Sequence, residues 1–286
     1  MPNLNNLTTQ DVQWGAALWN KGFKNYLING DFAINQRAFA GGALAAGVYG
    51  FDRWKAGTGG CSVSLSAGVL THTSGPLVQV IEAPNLAGKT ITVSVEGLSG
   101  GSLNVTVEGV TGVIAAAAGR AGVSIAAPGA STGNVTVTLT PASGAVTYQR
   151  VQVETGSAAT AFEWRPAQVE LALCGRYFEP SYPPGYAPGS VVDGGKSSVA
   201  VGGTSTTGNL VQANVLFPVR KRAAPAVTIF SPATGSVGKV RDNNAGADVT
   251  GTVGSPSPGG FIWWGTTVAG PAGVNASIQW TADAEL

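Results

Sequence analysis

The stretch ITVSVEGLSGGSLNVTVEGV, residues 91–110, decides the fold class. Ile91, Val93 and Val95 alternate with Thr92, Ser94 and Glu96. After a Gly/Ser break, Leu103, Val105 and Val107 alternate with Asn104, Thr106 and Glu108. Apolar side chains at every second position put one face of an extended chain in a core and the other outside, the period of a β-strand. GNVTVTLT (133–140) repeats the pattern, and YQRVQVETG (148–156) reads as a further strand. PNLAGK, LSGG, APGASTG and PASGA punctuate these runs at about ten-residue spacing, as in an antiparallel sandwich or jelly roll.

Beyond about Val191 the β signal resumes in SSVAVGG, NLVQANVLFPV, PAVTIFSP, GKVRDN, GGFIWWGTT and NASIQWTADAEL. The expectation is an all-β protein of two antiparallel β-sandwich, jelly-roll-like domains, residues 25–166 and 191–286. Residues 167–190 are read as a linker: QVELALCGRYFE is a short helix or extended connector, and PSYPPGYAPGS is too rich in proline for regular structure. Residues 1–24 form a separate N-terminal segment. LTTQDVQWGAALWNKG reads as a short helix capped by Thr8 or Thr9, with Asp11 at its positive end and Gly22 as its stop. Trp14, Leu18 and Trp19 would then be the attachment residues for a neighbouring chain, unless the helix folds back on its own domain.

Composition narrows the function. Charged residues are 11% of the 286, net charge is +1, and Gly numbers 42. Nothing here draws the chain to nucleic acid or to an anionic membrane. No apolar run of about 18 residues spans a bilayer, and no basic-then-apolar leader opens the chain. Cys61 and Cys174 fit no metal spacing and read as buried free thiols of a protein made in a reducing cytoplasm. His72 lies in the alternating run VLTHTSG beside threonines, and a Ser-His-acid or Cys-His catalytic set would have to use it. No phosphate loop, zinc-peptidase helix or nucleophile elbow occurs, and no two carboxylates are paired by the sequence. The expectation is therefore no catalysis.

Aromatic side chains are the better candidates, because Trp and Tyr on sandwich loops stack on the apolar faces of sugar rings. Two clusters stand out: Tyr177, Phe178, Tyr182 and Tyr186 in RYFEPSYPPGY, and Phe261, Trp263 and Trp264 in GGFIWWGT. If Ile262 and Trp264 point inward, alternation turns Phe261 and Trp263 outward. The candidate ligand-binding residues are Tyr177, Tyr182, Tyr186, Phe261 and Trp263.

Five segments carry a resemblance. They are NYLINGDFAINQR (25–37), YGFDRWKA (49–56), VQVETGSAATAFEWRPAQVELALCGRYFE (151–179), VLFPVRKRAAPAVTIFSPATG (215–235) and SIQWTADAEL (277–286). In this order they resemble bacteriophage tail-fibre and related virion proteins over residues 25–286. The chain departs from that pattern at Gly175, where Gln is usual, and at Lys221, where Met is common. The first β region also resembles carbohydrate-binding-module-like, galactose-binding-type jelly rolls. The resemblance implies that Asn29-Gly30-Asp31 turns the chain, with Gly30 left-handed, and that Ile28, Phe32 and Ile34 plug the sandwich. Asp52-Arg53-Trp54 would belong to the same core. Some relatives hold a structural calcium near this strand. Asp31 is the one carboxylate there, whereas calcium takes six to eight oxygens, so no metal site and no cofactor is assigned. The implied function is host-surface polysaccharide recognition within a phage tail, as a homotrimer docked to other tail proteins through the N-terminal segment. The implied location is the virion, assembled in the host bacterial cytoplasm. The competing reading is a purely structural virion component, such as a collar, baseplate or capsid decoration protein.

Overall fold

The computed structural model describes residues 22–126, 133–201, 208–268 and 274–286. Trp14, Leu18 and Trp19 lie outside the described residues. The chain divides into an N-terminal unit, built of the residues up to Ala33 and Ala40–Pro166, and a C-terminal unit of Ile34–Phe39 and Ala167–Leu286.

The N-terminal unit is a sandwich of two antiparallel sheets. One runs β1 (Gly42–Leu44), β3 (Cys61–Ser66), β4 (Val69–Ser74), β11 (Val146–Thr155), β6 (Thr90–Ser99), β9 (Ala117–Ala126). The other runs β2 (Lys55–Ala56), β5 (Leu77–Ile81), β10 (Val135–Pro141), β7 (Leu103–Val107), β8 (Val110–Ile114). Ile91, Val93 and Val95 of β6, Leu103, Val105 and Val107 of β7, and Val135, Val137 and Leu139 of β10 are all 0% exposed. Each such burial contributes about 1.5–3 kcal/mol, so the period-two pattern that defines these strands also builds their core.

Strand β9 carries no comparable pattern. AAGRAGVSIA is Ala- and Gly-rich, a poor strand former. It is held by an antiparallel ladder to β6 that runs from Thr90↔Ala126 to Leu98↔Ala117.

The opening motif does a structural job in an unexpected way. Gly30 is not the left-handed residue; Asn29 (φ 57°) and Phe32 (φ 60°) are. Gly30 is required because a Cβ there would lie 2.3 Å from the Val151 carbonyl oxygen. The Val151 N–H also donates to the Gly30 carbonyl at 2.8 Å. Buried Asn29 donates from Nδ2 to the Asp52 carbonyl, and its own carbonyl accepts the Trp54 indole N–H. Gln79 stands in for a strand partner: its amide accepts from Ile28 N–H and donates to Ile28 C=O, both at 2.8 Å. Phe32 packs against Phe51, Trp54 and Tyr148. Ile34 does not join this core, because residues 34–39 leave for the C-terminal unit.

The closing motif of this unit is equally structural. Asn25 Oδ1 accepts from the N–H groups of Leu27 and Val153. Glu163 receives the backbone N–H groups of Lys24 and Asn25, and Arg165 caps the carbonyls of Asn25 and Leu27. Gln152 and Glu154 hold the 160–163 segment through Thr160 and the Glu163 N–H. The polar letters of VQVETGSAATAFEWR are thus internal fastenings that tie residues 24–27 to the unit's last strand and the segment after it.

His72 is also internal. Its Nε2–H donates to the Gly75 carbonyl at 2.7 Å and Nδ1 accepts from the Tyr148 hydroxyl at 3.0 Å. Burial lowers its pKa from 6.5 to about 4. The unfolded chain therefore binds a proton that the folded one refuses. Stability is full above pH 6.5 and falls as pH drops through the window down to about 4, by up to about 3 kcal/mol. Urea unfolding near neutral pH and again near the bottom of that window checks this; His72→Gln should flatten the slope.

In the C-terminal unit, Pro166 precedes helix α1 (Ala167–Gly175), where the missing proline N–H costs nothing. The strands are β12 (Phe178–Pro180), β13 (Ser197–Val201), β14 (Leu210–Leu216), β15 (Ala226–Phe230), β16 (Lys239–Asp242), β17 (Ala247–Ser257), β18 (Gly260–Thr266) and β19 (Val274–Asp283). The long strand β19 serves two ladders: Val274–Ile278 pairs with β13, and Gln279–Asp283 pairs with β15. Its two ends also pair with β16 and β12. Residues 167–190, read from sequence as a linker, are the helix and first strand of this unit together with the loop that follows.

Segment 34–39 completes the unit. Arg37 lays its guanidinium 3.7 Å over the Phe178 ring and pairs with Glu285 and Asp283. Gln36 donates to the Phe178 carbonyl. The NQR, RYFE and ADAEL motifs are therefore mutual contacts. Strand β17 was not evident in the sequence because Gly251, Gly254 and Pro256 interrupt it. Its glycines are packing features: Gly251 faces Ile229 and Val240, and Gly254 faces Trp264.

Candidate functional site

The structure removes four of the five ligand-binding candidates from solvent. Tyr177 and Tyr182 are buried; the Tyr182 hydroxyl accepts the Gly189 N–H and its ring meets Phe230 edge-on. Phe261 packs on Phe217 and Trp280, and Trp263 is fully buried with its indole N–H on Ser197. The alternation expected in FIWW holds, but its phase is the reverse: Phe261 and Trp263 face the core while Ile262 and Trp264 face outward. The core phase is set by Phe217 and Trp280, aromatic partners that are distant in sequence. Tyr186 alone remains open, at 47% exposure, on a turn closed by its own N–H to the Pro183 carbonyl.

The exposed aromatic that sequence reading passed over is Trp164, at 62% exposure. It lies between Glu163 and Arg165. Glu163 and Arg165 turn inward to Asn25 and Leu27, Phe162 is half-buried near Gly30, and Trp164 stays exposed. Phe162 meets Trp164 edge-on at 5.2 Å, and the Arg150 guanidinium sits 4.7 Å over the indole.

The side chains beside it come from the non-core face of β6, β9 and β11. Arg150, at a positive-φ bulge in β11, pairs with Glu96 of β6 at 2.5 Å. Arg120 of β9 lies 3.9 Å from the other Glu96 oxygen, donates to Ser94 Oγ and the Arg150 carbonyl, and reaches over Phe162. Burial pulls Arg120 below the ordinary arginine range, against the opposing pull of Glu154 and Glu96. The result is an open indole whose edge and one face are fixed by Phe162 and Arg150. Partly exposed charged groups of both signs lie alongside. Such a surface can stack on an apolar ring face and hydrogen-bond its substituents. Glu96, the carboxylate at the site, is committed to two arginines.

Among the described residues no group of three or more His, Cys, Asp or Glu could hold a metal ion. Asp31 uses Oδ1 to accept the Ala33 N–H. Cys61 and Cys174 are free and buried, and burial raises the Cys61 thiol to about 11. No described helix is long and apolar enough to cross a membrane.

No family model matches the chain, and no curated protein matches it significantly. Among solved structures, a CBM4 module is similar at 16% identity and a TM-score of 0.29, covering 45% of this chain and 98% of that one. The CBM22-1–GH10 modules of a Clostridium thermocellum endo-1,4-β-D-xylanase, complexed with xylohexaose, align at 16% identity and a TM-score of 0.26, covering 47% and 29%. Discoidin II of Dictyostelium discoideum aligns at 14% identity and a TM-score of 0.25, covering 89% and 94%.

Proposed function

We propose that this protein is a non-catalytic glycan-binding component of a bacteriophage tail, which engages host-surface polysaccharide through Trp164 on the N-terminal unit. The observation that carries the binding role is Trp164 itself. Trp164 is 62% exposed while Phe162 at its edge and Arg150 over its ring hold its orientation, a fixed aromatic surface on which a sugar ring can stack. The charged groups around it form ion pairs, not a nucleophile or a poised acid and base. The phage context rests on the order of the five sequence motifs. Location in the virion, docking of the N-terminal segment to other tail proteins and a homotrimeric state belong to the same reading.

Retardation of the full-length protein in native gels cast with bacterial surface polysaccharides tests it. Trp164→Ala should weaken binding at least about tenfold, the scale of one lost stacking contact. Its unfolding midpoint should stay near that of wild type, because the ring is exposed. Wild-type migration unchanged across capsular, lipopolysaccharide and teichoic preparations would reject the reading.

A further inference from the structure

We infer that the C-terminal unit carries a second, separate glycan site on the outward face of β14, β18 and β17, centred on Trp264, and that its ligand is an uncharged sugar chain. Outward alternation on β18 presents Ile262, Trp264 and Thr266. The register places Gln212 of β14 and Thr252 of β17 on either side of Trp264, with Asn214 and Gly254 flanking Ile262. The benzo ring of Trp264 occupies the place of a side chain on Gly254: a Cβ there would lie 2.3 Å from Cζ3 and 2.6 Å from Cη2. Gly254 thus lets the indole lie down on the sheet as an inlaid platform rather than stand out as a knob.

The chemistry of the strip selects the ligand. Gln212 and Asn214 offer amides that both donate and accept, and Thr252 and Thr266 offer hydroxyls. No charged side chain lies among these positions. Leu210 and Leu216, 67% and 80% exposed, mark its two ends on β14. They are six residues apart, about 20 Å of strand, a span suited to several sugar rings in a row. Protein hot spots are knobs seated in pockets. A flat indole bordered by amides and hydroxyls instead matches the C–H face and hydroxyl rim of a neutral pyranose. Two sites on one chain would raise avidity for a repeating polymer without further contacts.

The test uses the full chain in native gels containing neutral polysaccharides (dextran, mannan, xylan and mixed-linkage β-glucan). Wild type is compared with Trp264→Ala, Gln212→Ala and Trp164→Ala. At least one polymer should retard Trp164→Ala, and adding Trp264→Ala should abolish the remainder, with Gln212→Ala weakening it several-fold. This outcome can hold even if Trp164 proves to have no role, so the two sites fail independently. Identical mobility of wild type and Trp264→Ala in every polymer would overturn the inference. So would a fall in solution mass by light scattering on Trp264→Ala, which would make this face a contact between copies.

Discussion

Gly30→Ala is expected to destabilise the N-terminal unit by on the order of 4 kcal/mol. The substitution adds one carbon in a conformation alanine readily adopts, so local propensity alone predicts almost no cost. The cost lies across the sandwich: the new Cβ would sit 2.3 Å from the Val151 carbonyl oxygen, a backbone atom with nowhere to go. Val151 N–H is bonded to the Gly30 carbonyl, so any retreat of β11 breaks that bond. It also loosens Asn25, which bonds the Val151 carbonyl and the Val153 N–H. Overpacking against backbone together with lost buried hydrogen bonds costs on the order of 4 kcal/mol, a large share of the 5–15 kcal/mol that holds a domain folded. Chemical denaturation followed by near-ultraviolet circular dichroism should show an early transition in Gly30→Ala and none of comparable size in Gly22→Ala, where a Cβ meets open space.

The second large effect is expected at Lys221→Met. Lys221 is buried, and its ammonium donates to the carbonyls of Gly175 (2.6 Å) and Val219 (2.9 Å) and to the Glu179 carboxylate. All three donors are used, and the chain end of α1, strand β12 and the 217–221 loop meet at one atom. Burial pulls Lys221 below the usual lysine range and pushes Glu179 above the usual glutamate range; their mutual bond opposes both. Methionine fills the volume but leaves a largely buried carboxylate and two carbonyls without the Lys221 donor. Breaking a buried pair from one side costs about 3–5 kcal/mol, whereas replacing both partners costs far less. Lys221→Met should therefore lower the unfolding free energy of the C-terminal unit by about 3 kcal/mol, and Lys221→Met with Glu179→Leu should restore more than half of it. The Gly175 carbonyl that Lys221 bonds lies at the end of α1, so Lys221→Met also loosens the helix terminus.

How much was readable follows from where each signal came from. Strands β6, β7 and β10 were legible because their core residues alternate without interruption. Strands β9 and β17 were not, because Ala, Gly and Pro fill them, and their pairing is enforced by neighbours distant in sequence. The aromatic clusters misled for a related reason. Sequence shows that FIWW must alternate but not which phase wins; the choice is made by Phe217 and Trp280. Tyr177 and Tyr182 looked exposed because they border a proline-rich loop, yet the segment folds into its unit and takes them along. Trp164 was not legible because it sits in a stretch with no strand period. Glu163 and Arg165 fasten the segment to Asn25 and Leu27, and Trp164 between them is left exposed.

The most direct measurement is hydroxyl-radical footprinting of the full-length protein, by mass spectrometry, with and without a polysaccharide that retards it. Oxidation of Trp164 should fall several-fold on binding, while Tyr186, exposed but outside both proposed sites, should be unchanged. Continued binding with Trp164 oxidised as readily as in the free protein would contradict a glycan site at Trp164.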